Sequence, residues 1–290
     1  MNFFASQIYA YTSTVVDVQN TCWARVTLMK TKETALVSGA STGIGFELAR
    51  VLAANGHPLV LVARDREKLA AAAERLQDEY GVPVSALGKD LSGPGAAEDL
   101  WSDMSKSNLT IDILINNAGV GAYGEFQSMS LQEIERMQTL NVMTLTNLTR
   151  LALPGMLARK HGRILNVASV VGYQPGGPRM AVYYATKSYV LSFSKGLAKE
   201  LDGSGVSVTA LSPGLTRSSF EQKAGAGGTV LYKLAPQMNA RTVAVAGYHG
   251  MMRGRKVVLP GFITKIMAFA GEFPPRAIAL RVNQLLLRRI

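Results

Sequence analysis

Short apolar runs recur along the chain, and between them lie stretches in which apolar residues return every three or four positions. Thr34–Val37, Pro58–Ala63, Pro83–Leu87, Ile111–Ile115, Arg163–Ala168, Val206–Leu211 and Lys256–Leu259 are predicted strands. They carry little charge, as strands covered on both faces do. Phe46–Ala54, Asp65–Tyr80, Gly95–Ser107 and Ala181–Leu201 read as helices. Leu131–Ala158 reads as one long helix interrupted or kinked near Pro154, and Asn239 can cap a helix reaching about Met252. Strands alternating with helices predict the α/β class: a doubly wound, mostly parallel sheet of about seven strands, helices on both faces, right-handed crossovers. Ligands of such sheets bind at the carboxyl ends of the strands, near the point where strand order reverses. No linker divides the pattern, so residues 31–259 are expected to form one domain. Residues 1–30 show no period and read as a loosely ordered extension, with Met29 a candidate start. Residues 260–290 form a basic, apolar, helical tail.

With 290 residues, 48% of them apolar and 18% charged, the chain can build a substantial core and is globular rather than disordered. No apolar run is long enough to span a membrane. Cys22 is the one cysteine, which excludes an intrachain disulfide and suits a reducing cytoplasm. The net charge of +11 is concentrated at the end: residues 251–290 hold eight basic residues against Glu272 alone. Such a tail fits peripheral contact with an acidic membrane, closure over a substrate pocket, or a subunit interface. Zinc-finger spacing and RNA-binding aromatic motifs are absent, so nucleic acid is not an expected partner, and no metal site is expected.

The candidate chemistry falls at strand ends. Ser38-Gly39-Ala40-Ser41-Thr42-Gly43-Ile44-Gly45 joins the first strand to the first helix. Glycines there let the backbone approach a phosphate, and the helix N-terminus offers free N–H groups and partial positive charge. Gly39, Gly43 and Gly45 differ in spacing from the usual G-x-G-x-x-G, so a ligand-free glycine turn remains the alternative at this point. Arg64 ends the second strand, where the adenosine ribose of a dinucleotide would lie. An arginine attracts a 2′-phosphate, which favours NADP(H) over NAD(H), unless the adjacent Asp65 turns inward instead. Asp90 follows the third strand, where it either accepts a bond from an adenine amino group or caps a helix. Asn116, Asn117, Ala118 and Gly119 end the fourth strand; the small residues leave room for a cofactor and the asparagines can tie loops together. Tyr183 and Lys187, four apart on a helix, share a face. A tyrosine of pKa ~10 is a poor acid or base near neutrality, but a nearby ammonium stabilises its phenolate. Tyr183 can then exchange a proton with a carbonyl or alcohol oxygen that Ser169 also holds.

Together these pieces resemble the short-chain dehydrogenase/reductase superfamily. The matching segments are Gly39–Gly45, Asn116–Gly119, Asn141 in Leu140-Asn141-Val142, Ser169 in Asn166–Gly172, Tyr183–Lys187 and Pro213-Gly214. The resemblance covers about Thr31 to Leu259 and implies a Rossmann-type fold with NADP(H) as coenzyme. The resemblance makes Tyr183 the acid/base and gives Lys187 two tasks: lowering the Tyr183 pKa and binding the nicotinamide ribose. Ser169 orients the substrate oxygen, and Asn141 holds a water linking Lys187 to solvent. Ser41, Thr42, Ile44, Asn117, Ala118 and Gly119 fall in the cofactor-binding motifs, and Pro213, Gly214 and Thr216 would contact the nicotinamide end. Arg217–Tyr232, with Gly225, Gly227 and Gly228, would be a mobile lid. Its Phe220, Leu231 and Tyr232, with loops 121–126 and 171–180, suggest an apolar carbonyl or alcohol substrate, and the resemblance of the basic apolar tail to that of lipid-acting members suggests a lipid-like one. The superfamily usually forms dimers or tetramers through the two long helices. A non-catalytic NADP-binding scaffold or redox sensor, and an epimerase or dehydratase, are the competing readings.

Overall fold

Each charge-poor run forms a strand whose side chains alternate between two helix layers. In the computed structural model, which describes residues 33–107, 109–272 and 276–288, these strands are β1 (Ala35–Ser38), β2 (Leu59–Ala63), β3 (Val84–Gly88), β4 (Ile113–Asn116), β5 (Gly162–Val167) and β6 (Val206–Leu211). Two short pieces, β7 (Thr216–Arg217) and β8 (Met238–Asn239), pair beside the main sheet, which β9 (Val257–Val258) completes. The sheet has seven strands in the order β3-β2-β1-β4-β5-β6-β9, and every pairing is parallel. The order reverses between β1 and β4, so a crevice opens there at the carboxyl ends.

On one face Val37, Leu61, Ile115 and Leu165 pack against α1 (Gly43–Ala54), α2 (Arg66–Tyr80) and a later helix over Ala240–Met252. On the other, Leu36, Val60, Leu114 and Ile164 meet α3 (Ala96–Lys106), α5 (Leu145–Ala158) and α6 (Ala181–Glu200). Asp65 caps α2 by accepting from the Lys68 N–H, and Gly81 closes it in the left-handed conformation at φ 64°. Asn239 caps α9 (Ala240–Met252) as expected, accepting from the Arg241 N–H.

The long helix departs from expectation. α4 (Leu131–Gln138) and α5 are separated by a π-helical segment, Thr139–Thr144, while α5 continues unbroken through Pro154. The irregularity therefore lies well before the proline. A proline removes one N–H and need not end a helix whose other bonds hold, whereas a π turn inserts one extra residue and re-aims its side chains. The re-aimed residue is Asn141, discussed below.

After β9 come α10 (Phe262–Glu272) and α11 (Arg276–Leu286), with short helices α7 (Phe220–Lys223) and α8 (Val230–Leu234) earlier, between β7 and β8. The expected extension over residues 1–30 lies outside the described residues. Among the described residues no helix is long and apolar enough to cross a membrane.

Candidate active site

The crevice is a cleft of about 950 Å³. One end is built by the β1–α1 turn. Gly39 and Gly43 adopt φ of 67° and 61°, which side-chain-bearing residues rarely reach. A methyl group added at Gly45 would overlap the Gly39 carbonyl and the Asn117 amide nitrogen. Asn117 is thus the clamp on this turn: its amide donates to the carbonyls of Ser38 (2.9 Å) and Gly39 (3.1 Å). Ser38 Oγ in return accepts from the N–H groups of Asn117 and Ala118, both at 3.0 Å. Asn116 points the other way, into the core, donating to Thr149 Oγ1 and Asn166 Oδ1. The first turn of α1 has no side-chain cap and no acidic residue, so its N–H groups face the cleft beside Ser41, Thr42 and Ile44.

Arg64 lines the cleft, is exposed, and makes no ion pair among the described residues. Asp65 is committed elsewhere, to the Lys68 N–H and, at 2.6 Å, to its ammonium. These two bonds hold the Asp65 carboxyl below its usual pKa, the side-chain bond contributing most. Asp65 lines the cleft too, but with its carboxylate engaged by Lys68. Lys68, Lys89 and Lys223 also line the cleft, and sequence reasoning had not singled them out. Asp90 lines the cleft as well, accepting from Ser92 N–H and Oγ at 2.9 and 2.7 Å. It is not a helix cap; that position in α3 belongs to Gly95.

The other end brings together Ser169, Tyr183 and Lys187 from β5 and α6, with Gly119, Pro213, Gly214 and Thr216 beside them. Ser169 follows β5 and bonds the Val171 N–H. Lys187 is buried and donates to the Val167 carbonyl at 2.8 Å, its ammonium 5.9 Å from the Tyr183 ring centre. Burial pushes Lys187 down to about 8. Tyr183 moves opposite to expectation: burial raises its pKa, the neighbouring Tyr232 adds to the rise, and a hydrogen bond with Ser169 lowers it. The Lys187 ammonium is itself desolvated and bonded to the Val167 carbonyl. Burial thus favours the neutral form of the Tyr183 phenol.

Asn141 does not line the cleft. Its carboxamide is spent on the Val120 backbone, accepting from the N–H at 2.9 Å and donating to the C=O at 2.8 Å, and on Thr186 Oγ1 at 3.0 Å. A side chain on Gly119 would crowd Asn141 Oδ1, 3.2 Å from its first carbon, and touch Lys187 Nζ at 3.5 Å. Asn141 stands one layer behind, fixing the strand-end loop against α6.

Apolar residues wall this end: Met137, Met180, Tyr184, Phe220 and Leu231. Phe220 packs on the Tyr183 ring with centroids 5.2 Å apart, so the segment expected as a lid lies over the phenol. The tail completes the wall. Met267, Asn283, Leu286 and Leu287 line the cleft, and Leu287 is 1% exposed. Tyr123 donates to the Leu287 carbonyl at 2.6 Å, Asn283 to the Gly176 carbonyl at 2.7 Å, and Gln174 to the Met267 carbonyl at 2.7 Å. Of the three roles open to the tail, closure over the pocket is one the structure adopts.

Residues 33–227 match the family model described as short chain dehydrogenase. A very-long-chain 3-oxoacyl-CoA reductase of Anas platyrhynchos is 36% identical over 185 residues, which are 62% of this chain and 58% of that protein. The chain thus spans less than two thirds of that relative's length. A short-chain dehydrogenase from Sphingobium yanoikuyae, solved in complex with NADPH, has 38% identity and a TM-score of 0.74, covering 82% of this chain and 92% of that one. The bulky-bulky ketone specific alcohol dehydrogenase from Comamonas testosteroni has 31% identity and a TM-score of 0.70, covering 84% and 95%.

Proposed function

Because the chain belongs to the short-chain dehydrogenase family, we propose that it is an NADP(H)-dependent oxidoreductase that reduces an apolar carbonyl compound, reversibly, with Tyr183 as the acid/base. The observation that carries this reading is the convergence of Ser169, Tyr183 and Lys187 on a cleft whose far end is an uncapped helix N-terminus with Arg64 beside it. That donor set fits a pyrophosphate and a 2′-phosphate. The NADPH found with the Sphingobium enzyme supports the choice of coenzyme.

The coenzyme, when bound, supplies or takes up the hydride. The chain's own residues do the rest. Ser41, Thr42 and the α1 N–H groups hold the phosphates, Arg64 the 2′-phosphate and Asp90 the adenine amino group. Gly119, Pro213, Gly214 and Thr216 border the nicotinamide end, and Lys187 binds its ribose. Ser169 donates to the substrate oxygen and fixes it beside the Tyr183 hydroxyl. Tyr183, held neutral by burial, gives its proton to that oxygen as negative charge develops there. Lys187, near 8, can replace that proton close to neutral pH, and Asn141 is a positioning residue that holds the Gly119–Val120 loop against α6. The aromatic and aliphatic wall excludes water and favours an apolar substrate; the acyl and bulky-ketone substrates named for two relatives accord with it. The apolar exposed face of α6 and the α4–α5 unit, including Met143 and Tyr189, suits a homodimer or homotetramer. The single cysteine, Cys22, suits action in a reducing cytoplasm, with peripheral membrane contact through the basic tail.

The test is a panel of bulky ketones with NADPH on wild type and Tyr183→Phe. We expect turnover in wild type and a loss of ~10²–10⁴-fold in the variant with NADPH binding unchanged. Full turnover in Tyr183→Phe would overturn the assignment.

A further inference from the structure

Each tail helix has a buried inner side and an exposed outer side. The inner sides hold Thr264, Ala268 and Asn283 against the body of the protein, and Leu287, just past the end of α11, is buried with them. Their outer sides carry Phe262 and Ile266 on α10 and Ile278, Val282 and Leu285 on α11, at helical spacings of three and four. These outer residues are strongly exposed: Phe262 by 76%, Leu285 by 66% and Ile278 by 58%. The two helices pack against each other, so both stripes belong to one tail unit. Single exposed apolar residues are ordinary, but a set of this size on one unit marks an interaction surface.

Charge identifies the partner. Lys265 and Arg281 are exposed on the same two helices, and Arg288 is exposed just past the end of α11. The one acidic residue of the tail, Glu272, is taken by Lys195 at 3.3 Å. A second copy of this chain would bring a face of the same sign. An anionic lipid surface complements both the charge and the apolar stripes. We propose that the outer face of α10 and α11 docks on the surface of a bilayer containing anionic phospholipid, with the apolar side chains at the acyl boundary and the basic ones at the headgroups. Since the inner sides of the same helices line the cleft, docking brings the cleft wall within one helix diameter, ~10–12 Å, of the lipid. The docking claim does not depend on the catalytic reading.

The experiment is co-sedimentation of the full chain with vesicles of phosphatidylcholine alone and of phosphatidylcholine mixed with phosphatidylglycerol. We expect binding to the mixed vesicles that weakens as salt rises. Each basic residue near such a surface is worth roughly fivefold, so Lys265→Gln with Arg281→Gln lowers binding by roughly 25-fold. Ile278→Ser, Val282→Ser and Leu285→Ser together remove it, while wild-type activity on a small soluble ketone is retained. The glutamine pair leaves the apolar packing untouched, so it keeps the test decisive should the serine variant unfold. Equal sedimentation with and without anionic vesicles overturns the proposal. So does concentration-dependent self-association, read by analytical ultracentrifugation, that the serine variant disperses; the face is then an interface between copies.

Discussion

Lys187→Met is expected to abolish turnover yet stabilise the protein at neutral pH. In wild type the ammonium is buried with one partner, the Val167 carbonyl, and its pKa falls from 10.5 to about 8. Below the folded pKa the full penalty for holding that charge in the core is present. Across the window from about 8 to 10.5 the unfolded chain binds more protons than the folded one, so stability rises with pH there. The displacement corresponds to about 3 kcal/mol. Methionine fills a similar volume without the charge but forfeits the bond to Val167, worth about 2 kcal/mol for a charged donor. The variant should therefore be about 1 kcal/mol more stable than wild type at pH 7. Wild type should recover about 2 kcal/mol of its penalty by pH 9.5 and become the more stable of the two. Urea denaturation of both proteins without coenzyme, followed by circular dichroism at pH 7, 8.5 and 9.5, reads the crossing. A stability difference that stays constant over this range would refute the argument that burial depresses Lys187.

Two further substitutions probe the turn and the tail. Gly45→Ala drives a methyl group into the Gly39 carbonyl and the Asn117 amide, and it should destabilise the protein by about 2 kcal/mol and weaken coenzyme binding at least tenfold; thermal denaturation and a coenzyme titration check both. Leu287→Ala empties a site that is 1% exposed and should cost about 2–4 kcal/mol of local stability, seen as faster hydrogen exchange in α11 than in β1, β4 or β5.

Most of the sheet was legible because its strands are charge-poor runs ended by glycine, asparagine or charged residues: Val206–Leu211 matches at both ends, and the others shift by one or two residues. The turn between β1 and α1 was legible for the same reason that it works, since only glycine fits at Gly39 and Gly45. The π segment was not. Thr139–Thr144 carries the residue types of an ordinary helix, and one inserted residue leaves little trace in periodicity, whereas Pro154 is conspicuous in sequence and tolerated in space. The tail was only half legible. Its apolar residues are not confined to one side, so the pattern announces helices without saying that Leu287 faces inward and Leu285 outward. Lys187 shows a different limit. Its spacing from Tyr183 places the two on one helix, but the direction of each pKa is set by burial and by the Val167 carbonyl, which sequence distance does not reveal.

The central claim is that the cleft is an NADPH site read at its far end by Arg64. The direct test is a titration of wild type and Arg64→Asp with NADPH and with NADH, followed by nicotinamide fluorescence. A bidentate contact from arginine to phosphate is worth about 1.5–3 kcal/mol, so the substitution should weaken NADPH by at least tenfold and bring NADH level with it or ahead. Equal binding of the two coenzymes to wild type would contradict the role of Arg64, and binding of neither would contradict the assignment of the cleft.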